Sequence, residues 1–244
     1  MQLRVLAMIP TYNERENIVA LMTEILALSD DFGVLVVDDD SPDGTAEAVA
    51  RFAENYDEGR VNLLLRKEKR GRGYAGIAGF IKAVRLAPEF VVEMDADFSH
   101  RPEYIPQFLD AIGDADILIG SRGVAGGDQV GRGIGRKIIT RLANCYIMSV
   151  LGIYGHDLTS GYRLFRTSSL SELGLEVMIS KGPEIVQEIL CLAQRHGLKR
   201  KEFPIVFHDR SHGQSTFNWK IALRSMVMMW RFRFRYRLQS ALKS

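Results

Sequence analysis

Short apolar runs alternate with amphipathic stretches along the first half of the chain. The runs are typical of buried strands, whereas the amphipathic stretches repeat their apolar residues every three or four positions, as a helix requires. The predicted strands are 3–9, 33–37, 61–65, 90–94 and 116–120, and the predicted helices are 16–28, 45–54, 74–86 and 103–112. Repeated strand–helix units predict an α/β fold with a mostly parallel, twisted, Rossmann-like sheet flanked by helices.

The pattern changes after residue 121. Six glycines between 122 and 135 predict a mobile loop. A helix over 136–151, a strand-like segment over 158–165, a helix over 184–196 and a last strand over 202–208 follow. No internal repeat or low-complexity linker interrupts these elements, so we expect one domain.

Composition narrows the class of protein. With 244 residues, of which 46% are hydrophobic and 25% charged, the chain is not disordered in bulk. No secretory signal is visible, and the longest uncharged apolar stretch, 142–155, is shorter than the roughly 18 residues that span a membrane. Cys145 and Cys191 show no metal-binding spacing. We therefore expect a cytoplasmic protein without an integral membrane span.

The C-terminal segment differs from the rest in charge. Of the 32 basic residues, seven lie after residue 219, where no acidic residue occurs, which leaves 25 basic against 30 acidic residues elsewhere. Aromatic residues alternate with arginines between Trp230 and Arg237. This composition fits a contact with anionic lipid, but it fits equally a terminal helix packed on the domain or a contact with a partner subunit. No nucleic-acid fold signature accompanies it.

Two acidic clusters follow predicted strands. Residues 38–40 (Asp-Asp-Asp) end the second strand, and Asp95 and Asp97 end the fourth. In an open α/β sheet, ligands bind beyond the carboxyl ends of the strands. Because neighbouring carboxylates repel each other, we expect a cationic partner there, either a hard metal ion or hydrogen-bond donors of a sugar and base.

A glycine-rich segment offers a rival interpretation. Residues 71–76 read Gly-Arg-Gly-Tyr-Ala-Gly, which fits the G-x-G-x-x-G dinucleotide fingerprint of oxidoreductases. However, five charged residues separate this segment from its strand, whereas a pyrophosphate turn follows its strand closely. The simpler interpretation is a loop whose small residues let a helix pack tightly.

Several cations could serve an anionic ligand. Arg122 ends the fifth strand, and Arg136 and Thr140 lie one turn apart at the start of a predicted helix. Backbone N–H groups at a helix start favour phosphate. The sequence contains no arrangement typical of a serine or cysteine nucleophile.

Four segments together carry a resemblance to a known family. They are 10–14 (Pro-Thr-Tyr-Asn-Glu), 38–45 (Asp-Asp-Asp-Ser-Pro-Asp-Gly-Thr), 94–100 (Met-Asp-Ala-Asp-Phe-Ser-His) and 157–163 (Asp-Leu-Thr-Ser-Gly-Tyr-Arg). The chain resembles family 2 glycosyltransferases with the GT-A fold, and within them the dolichol-phosphate (polyprenol-phosphate) mannosyltransferases. The resemblance implies a glycosyltransferase domain over 1–218, followed by a basic aromatic segment over 219–244.

The resemblance also implies roles for individual residues. Asp95 and Asp97 would form a D-x-D site for Mg²⁺ or Mn²⁺, with Arg122 on the reacting phosphates and Arg136 and Thr140 on the lipid phosphate. The residues that would bind the nucleotide sugar are Pro10, Tyr12, Glu14, Val37, Asp39, Ala96 and Arg210, together with the D-x-D pair and Arg122. The implied reaction is mannosyl transfer, with inversion, from GDP-mannose to a polyprenyl phosphate at a membrane surface.

The sequence departs from the family pattern at three places. Asp40 stands where the family usually has glycine, Thr216 where it has a lysine expected on the diphosphate, and residues 181–188 lack the usual aromatic residues. These departures leave open another donor such as UDP-glucose, and a non-catalytic binding module remains a further alternative.

Overall fold

The computed structural model describes residues 2–57, 59–131, 133–208 and 219–237, apart from the side chain of Ile134. The strands in these ranges are β1 (Val5–Thr11), β2 (Phe32–Asp38), β3 (Val61–Leu65), β4 (Phe90–Glu93), β5 (Ile117–Ser121), β6 (Asp128–Val130), β7 (Arg163–Arg166), β8 (Arg200–Pro204) and β9 (Val206–His208). The helices are α1 (Arg15–Leu26), α2 (Thr45–Ala53), α3 (Arg72–Leu86), α4 (Tyr104–Ala111), α5 (Ile134–Leu151), α6 (Thr167–Ser171), α7 (Ile185–Arg195) and α8 (Trp219–Arg235), with a 3₁₀ turn at Leu175–Val177.

Seven strands form the main sheet in the order β3-β2-β1-β4-β7-β5-β8. All neighbours pair in parallel except at β7, which runs antiparallel to both β4 and β5. The chain adds strands on one side of β1 and then crosses to β4 on the other side. This reversal opens a crevice at the carboxyl ends of β1 and β4, where α/β sheets bind ligands. The predicted fold class is confirmed.

Both faces of the sheet are buried. Alternate residues of β1 point to opposite faces, so Met8 packs with Phe80 of α3, whereas Ile9 packs on the α1 and α4 side. Strands covered on both faces read as continuous apolar runs, and this explains why β1, β2 and β4 are recognisable in the sequence.

The second half of the sheet differs from the predicted elements. The glycine-rich 122–135 segment contains β6, which pairs with β9 in a separate two-stranded sheet. The single strand predicted over 202–208 is divided at Ile205, whose N–H bonds to the carbonyl of Ser121. In place of the predicted 158–165 strand, β7 begins at Arg163 and ends at Arg166, because Ser160 accepts a turn hydrogen bond from the N–H of Tyr162.

The start of the basic aromatic segment forms a helix, α8, that packs on α5 and α7. Met228, Met229 and Phe232 are buried, and the hydroxyl of Tyr236 donates to Glu188 at 2.6 Å. Burial and this bond raise the pKa of Tyr236 above its ordinary value. The described part of the basic aromatic segment is therefore a terminal helix packed on the domain, which was one of the interpretations considered. Within the described ranges, no helix combines the length and the hydropathy needed to cross a bilayer.

We predict that α8 depends on its buried phenylalanine. Phe232 is fully buried, whereas Phe234, two residues later, is 72% exposed. Phe232→Ala should lower the free energy of unfolding by about 3–5 kcal/mol because it leaves a cavity. The matched control Phe234→Ala should change it by less than about 0.5 kcal/mol. Urea unfolding followed by circular dichroism measures both, and equal effects of the two substitutions would contradict this packing.

Candidate active site

Side chains join the loops that follow β1 and β2. Each bond links the end of β1 or a residue just after it to a residue 27 to 31 positions later, so the two loops form one cradle at the carboxyl edge. The bonds are Thr11 Oγ1 to Asp38 Oδ2 at 2.9 Å, Asn13 N to Ser41 Oγ at 3.0 Å, Glu14 N to Thr45 Oγ1 at 3.1 Å and Arg15 N to Asp43 Oδ2 at 3.1 Å. Asp43 Oδ1 also accepts the N–H of Thr45, the first residue of α2, at 3.0 Å.

The three acids at 38–40 each have a separate partner. Asp38 is fully buried and accepts the N–H and hydroxyl of Ser41. Asp39 pairs with Arg66 and accepts the N–H of Gly71 at 2.6 Å. Asp40 pairs with Arg70. Two of the three carboxylates thus pair with arginines of the charged run 66–70, partners that the sequence analysis did not predict.

The residues predicted to bind a nucleoside line this cradle with different exposure. Tyr12 is 51% exposed beyond the end of β1, and Pro10 pairs in register with Val37 on β2. The Val37 side chain faces α3, where a Cβ on Gly79 would lie 3.0 Å away, so only its backbone is left to meet a ligand. The Asp39 carboxylate already holds Arg66 and Gly71, a role that the sequence did not predict.

Asp95 and Asp97 follow β4 in a turn fixed by their neighbours. Asp97 Oδ1 accepts the N–H and the hydroxyl of Ser99 at 3.1 and 2.6 Å. His100 Nδ1 accepts the N–H of Asp95 at 3.0 Å, and its ring stacks on Tyr162. Burial, together with the positive charges of Arg122 and Arg72, lowers the pKa of His100, although Asp95 and Asp97 oppose this. A neutral His100 is therefore the acceptor that holds the Asp95 backbone.

Arg122 is held by a carboxylate that the sequence did not single out. Its Nε and Nη2 donate to both oxygens of Asp157 at 2.6 and 2.7 Å, and Nη2 also reaches the hydroxyl of Thr159 at 2.7 Å. The guanidinium lies 5.2 Å from the ring of Phe207 on β9. If Arg122 contacts a phosphate directly, as the sequence analysis predicts, the contact would be made by its remaining nitrogen, Nη1.

The residues predicted for the lipid phosphate lie on the first turns of α5. Arg136 is exposed, and the Thr140 hydroxyl donates to its carbonyl at 3.0 Å. Gly133, the N-cap, has no side chain to cap the first N–H groups. The sites of Arg132, Arg210 and Thr216 lie outside the described residues.

The glycines at 71–76 serve backbone packing. A Cβ on Gly73 would lie 2.7 Å from the N of Gly182, and one on Gly71 would lie 2.5 Å from the carbonyl oxygen of Lys181. The N–H of Gly73 donates to that carbonyl at 3.2 Å. The start of α3 therefore packs closely on the 180–182 segment, whereas the simpler interpretation of this motif expected tight packing on the sheet.

The donor set at the end of β4 fits a divalent cation. Two carboxylates two positions apart in the Asp-Ala-Asp turn supply the oxygen ligands that Mg²⁺ and Mn²⁺ prefer. In the part of the chain that the structure describes, no group of three or more His, Cys, Asp or Glu side chains is gathered for a metal. The chemistry of the pair fits an ion that shares its coordination with a bound phosphate group and water.

Comparisons with known proteins show the family to which the chain belongs. A family model described as glycosyl transferase family 2 matches residues 7–174. An undecaprenyl-phosphate mannosyltransferase of Micrococcus luteus is 38% identical over 231 residues, covering 94% of each chain. A polyprenol monophosphomannose synthase of Mycolicibacterium smegmatis is 37% identical over 239 residues, covering 98% of this chain and 90% of the relative.

Solved structures share the fold at lower identity. A mannosyl-3-phosphoglycerate synthase from Rubrobacter xylanophilus has a TM-score of 0.66 and 20% identity, covering 98% of this chain and 76% of that one. A mannosyltransferase (PcManGT) from Pyrobaculum calidifontis, in complex with GDP-Man and Mn²⁺, has a TM-score of 0.59 and 22% identity, covering 96% and 65%. These likenesses concern the fold.

We predict a pH signature for the Arg122–Asp157 pair. Burial alone would raise the pKa of Asp157, but the hydrogen bonds and charge of Arg122 outweigh it and lower that pKa. A depressed pKa stabilises the fold above the unfolded value, near 3.8, and this contribution is lost as pH falls through the folded value.

Asp157→Asn should therefore lower the free energy of unfolding by about 3 kcal/mol at pH 5–7, because Arg122 keeps its charge without a counter-ion. The difference from the unmodified protein should shrink below about pH 4. Urea unfolding at several pH values measures it. The control Asp30→Asn removes a fully exposed carboxylate and should show little effect; a pH-independent cost for Asp157→Asn would contradict the pair.

Proposed function

The chain belongs to glycosyl transferase family 2, and from this we propose that it transfers mannose from GDP-mannose to a polyprenyl phosphate. The observation that carries the proposal is the pair of relatives, 37–38% identical over nearly their whole lengths, whose names specify mannosyl transfer to polyprenyl-type phosphates. The four motifs noted in the sequence lie in the main sheet's carboxyl-edge loops or lead into β7, which supports the resemblance on which the donor rests.

The nucleotide sugar would lie in the cradle between the β1 and β2 loops. Tyr12, half exposed at its rim, would contact the base or ribose, with the backbone of Pro10 and Val37 forming the floor. Glu14 and Asp39 would contact the nucleotide sugar from the two sides of the cradle. Ala96 would let the diphosphate approach the turn between Asp95 and Asp97. Arg210 is proposed for the diphosphate from the resemblance alone.

Asp95 and Asp97 would hold Mg²⁺ or Mn²⁺. When bound, such an ion neutralises the charge that develops on a diphosphate leaving group. The protein's own part is to keep the two carboxylates in place: Ser99 orients Asp97, and His100 fixes the backbone of Asp95. Arg122, paired with Asp157, would add positive potential without a mobile side chain.

The acceptor needs little activation. A lipid monophosphate has a second pKa of about 6, so it is mostly dianionic at neutral pH and already nucleophilic. Arg136 and Thr140, at the exposed start of α5, would receive this phosphate beside uncapped backbone N–H groups. We propose a single in-line displacement at the anomeric carbon, which converts the α-linked donor into a β-linked mannosyl phosphate.

A membrane surface would be met by α5 and α8. The outer face of α8 carries large apolar side chains every three or four residues, on the side away from the buried Met228 and Phe232. Those exposed on α8 are Trp219, Ile221, Leu223, Met226, Val227, Trp230 and Phe234, and those on α5 are Ile138, Ile139 and Leu142. Arginines flank the stripe and no acidic residue occurs in α8, which suits anionic lipid.

We predict metal-dependent labelling of lipid from GDP-mannose. Transfer of radiolabelled mannose to a short polyprenyl phosphate should require Mg²⁺ or Mn²⁺ and stop with EDTA. Asp97→Asn should lower kcat at least about 100-fold because it removes a negative ligand of the cation. The control Asp110→Asn, on the exposed side of α4, should keep full activity. Transfer from UDP-glucose but not from GDP-mannose would show that the donor is not GDP-mannose. No transfer from either donor would favour a non-catalytic binding module.

We predict that two exposed aromatic residues hold the protein on lipid. Trp230→Ser/Phe234→Ser should lower binding to anionic liposomes at least about tenfold, since it removes apolar area that would enter the interface. Deleting the segment from residue 229 onward would also remove the buried Met229 and Phe232, so the double substitution is the cleaner test. Val19→Ser, an exposed apolar residue on α1, is the control. Flotation of both variants with liposomes measures the effect, and unchanged binding of the double variant would refute the surface.

A further inference from the structure

One arginine of α3 joins two carboxylates at the end of β4. Arg72 Nη2 lies 2.8 Å from Glu93 Oε1 and 3.5 Å from Asp95 Oδ1. The Glu93 side chain is 1% exposed, whereas that of Asp95 is 36% exposed. The guanidinium therefore links a carboxylate inside the sheet to one that faces the crevice.

Glycines lie beside the Arg72 guanidinium and leave space for it. A Cβ on Gly76 would lie 3.2 Å from Arg72 Nη1, and a Cβ on Gly161 would lie 3.8 Å from Nη2. Two glycines from distant parts of the chain thus border the guanidinium, which passes between α3 and the segment that leads into β7. The Arg72 side chain is 24% exposed, and packing beside these glycines restricts the rotamers open to it.

Glu93 is the inner anchor of the arrangement. It lies opposite Arg163 in the register of β4 and β7, and Arg163 is itself fully buried, with Nη1 on the carbonyl of Val186 at 2.6 Å. A buried carboxylate is stable only with opposite charge and hydrogen bonds beside it. Glu93 consequently holds Arg72 in place as much as Arg72 neutralises Glu93.

We propose that Arg72 is a positioning residue for Asp95, held by Glu93 and setting the orientation of the Asp95 carboxylate toward the divalent cation. The inference rests on the proposed function, which assigns Asp95 to that cation. Ser99 and His100 fix Asp97 and the Asp95 backbone, respectively. Arg72 supplies the corresponding restraint on the Asp95 side chain.

Positioning and simple charge predict opposite results for metal binding. A cation beside a carboxylate repels a second cation, so losing Arg72 would on charge alone tighten binding of Mn²⁺. If Arg72 instead orients Asp95, its loss weakens Mn²⁺ binding because the ligand no longer occupies one geometry. The direction of the change therefore separates the two roles without recourse to activity.

The experiment compares three variants with the unmodified protein in the presence of GDP. Arg72→Met/Glu93→Leu replaces both members of the inner pair by apolar side chains of similar size, a change that commonly preserves stability. Arg72→Lys keeps the charge but loses the planar fork that spans two carboxylates. Arg85→Met, on the exposed side of the same helix, is the matched control. Electron paramagnetic resonance of free Mn²⁺ gives the dissociation constant, and circular dichroism gives Tm.

We expect the double variant to keep a cooperative unfolding transition and to bind Mn²⁺ at least tenfold more weakly, with kcat falling by a similar factor. Arg72→Lys should recover part of the affinity, and Arg85→Met should match the unmodified protein. Equal or tighter Mn²⁺ binding in a folded double variant would overturn the inference while leaving the proposed function intact. If the double variant fails to fold, Arg72→Lys provides the test. A Mn²⁺ affinity of Arg72→Lys equal to that of the unmodified protein would refute the positioning role. Absence of Mn²⁺ binding by the unmodified protein would reject both.

Discussion

Negative charge concentrated at one edge of the sheet is the constraint on which this structure depends. The carboxyl ends of β2 and β4 and the approach to β7 bring acidic side chains to the same crevice, several of them buried. Each has a specific counter-charge or set of donors: Arg66 for Asp39, Arg72 for Glu93 and Arg122 for Asp157. Because unpaired buried carboxylates are costly, these arginines decide the path of the loops that carry them.

The pairing also divides the acidic residues into two groups. Asp38, Asp39 and Asp157 are satisfied by the protein itself and build the walls of the crevice. Asp95, whose side chain is 36% exposed, is more open to solvent than these three and contacts Arg72 at 3.5 Å. A site assembled this way is rigid before any ligand arrives, which is what electrostatic stabilisation of a leaving group requires.

The sequence predicted the first five strands and the helices between them because buried parallel strands and amphipathic helices have distinct periods. It failed at β7 and at the division between β8 and β9, since antiparallel insertion and strand exchange depend on contacts between distant residues. For α8, the sequence offered a packed terminal helix as one of several interpretations, but the alternation of arginine and aromatic residues did not show that the helix has two apolar faces.

The candidate site shows the same limit. Motifs identified Asp95 and Asp97, but nothing local to Glu93 or Arg72 indicates that they meet, because the two are 21 positions apart and come together only when α3 docks on β4. The resemblance placed Arg122 on phosphate, and only the fold shows its bidentate partner, 35 positions away. A sequence motif can identify residues that contact a ligand. The residues that hold those side chains in place are identified only from the tertiary structure.

The packing of α8 has a consequence for how the enzyme would meet a bilayer. Its inner face is already ordered against α5 and α7, so the helix needs no disorder-to-order transition on adsorption. The conformational entropy that a folding-coupled anchor loses at the surface is here lost once, during folding of the domain. Adsorption should then be fast and reversible, and the sheet would be presented to the lipid in a single fixed orientation at every encounter.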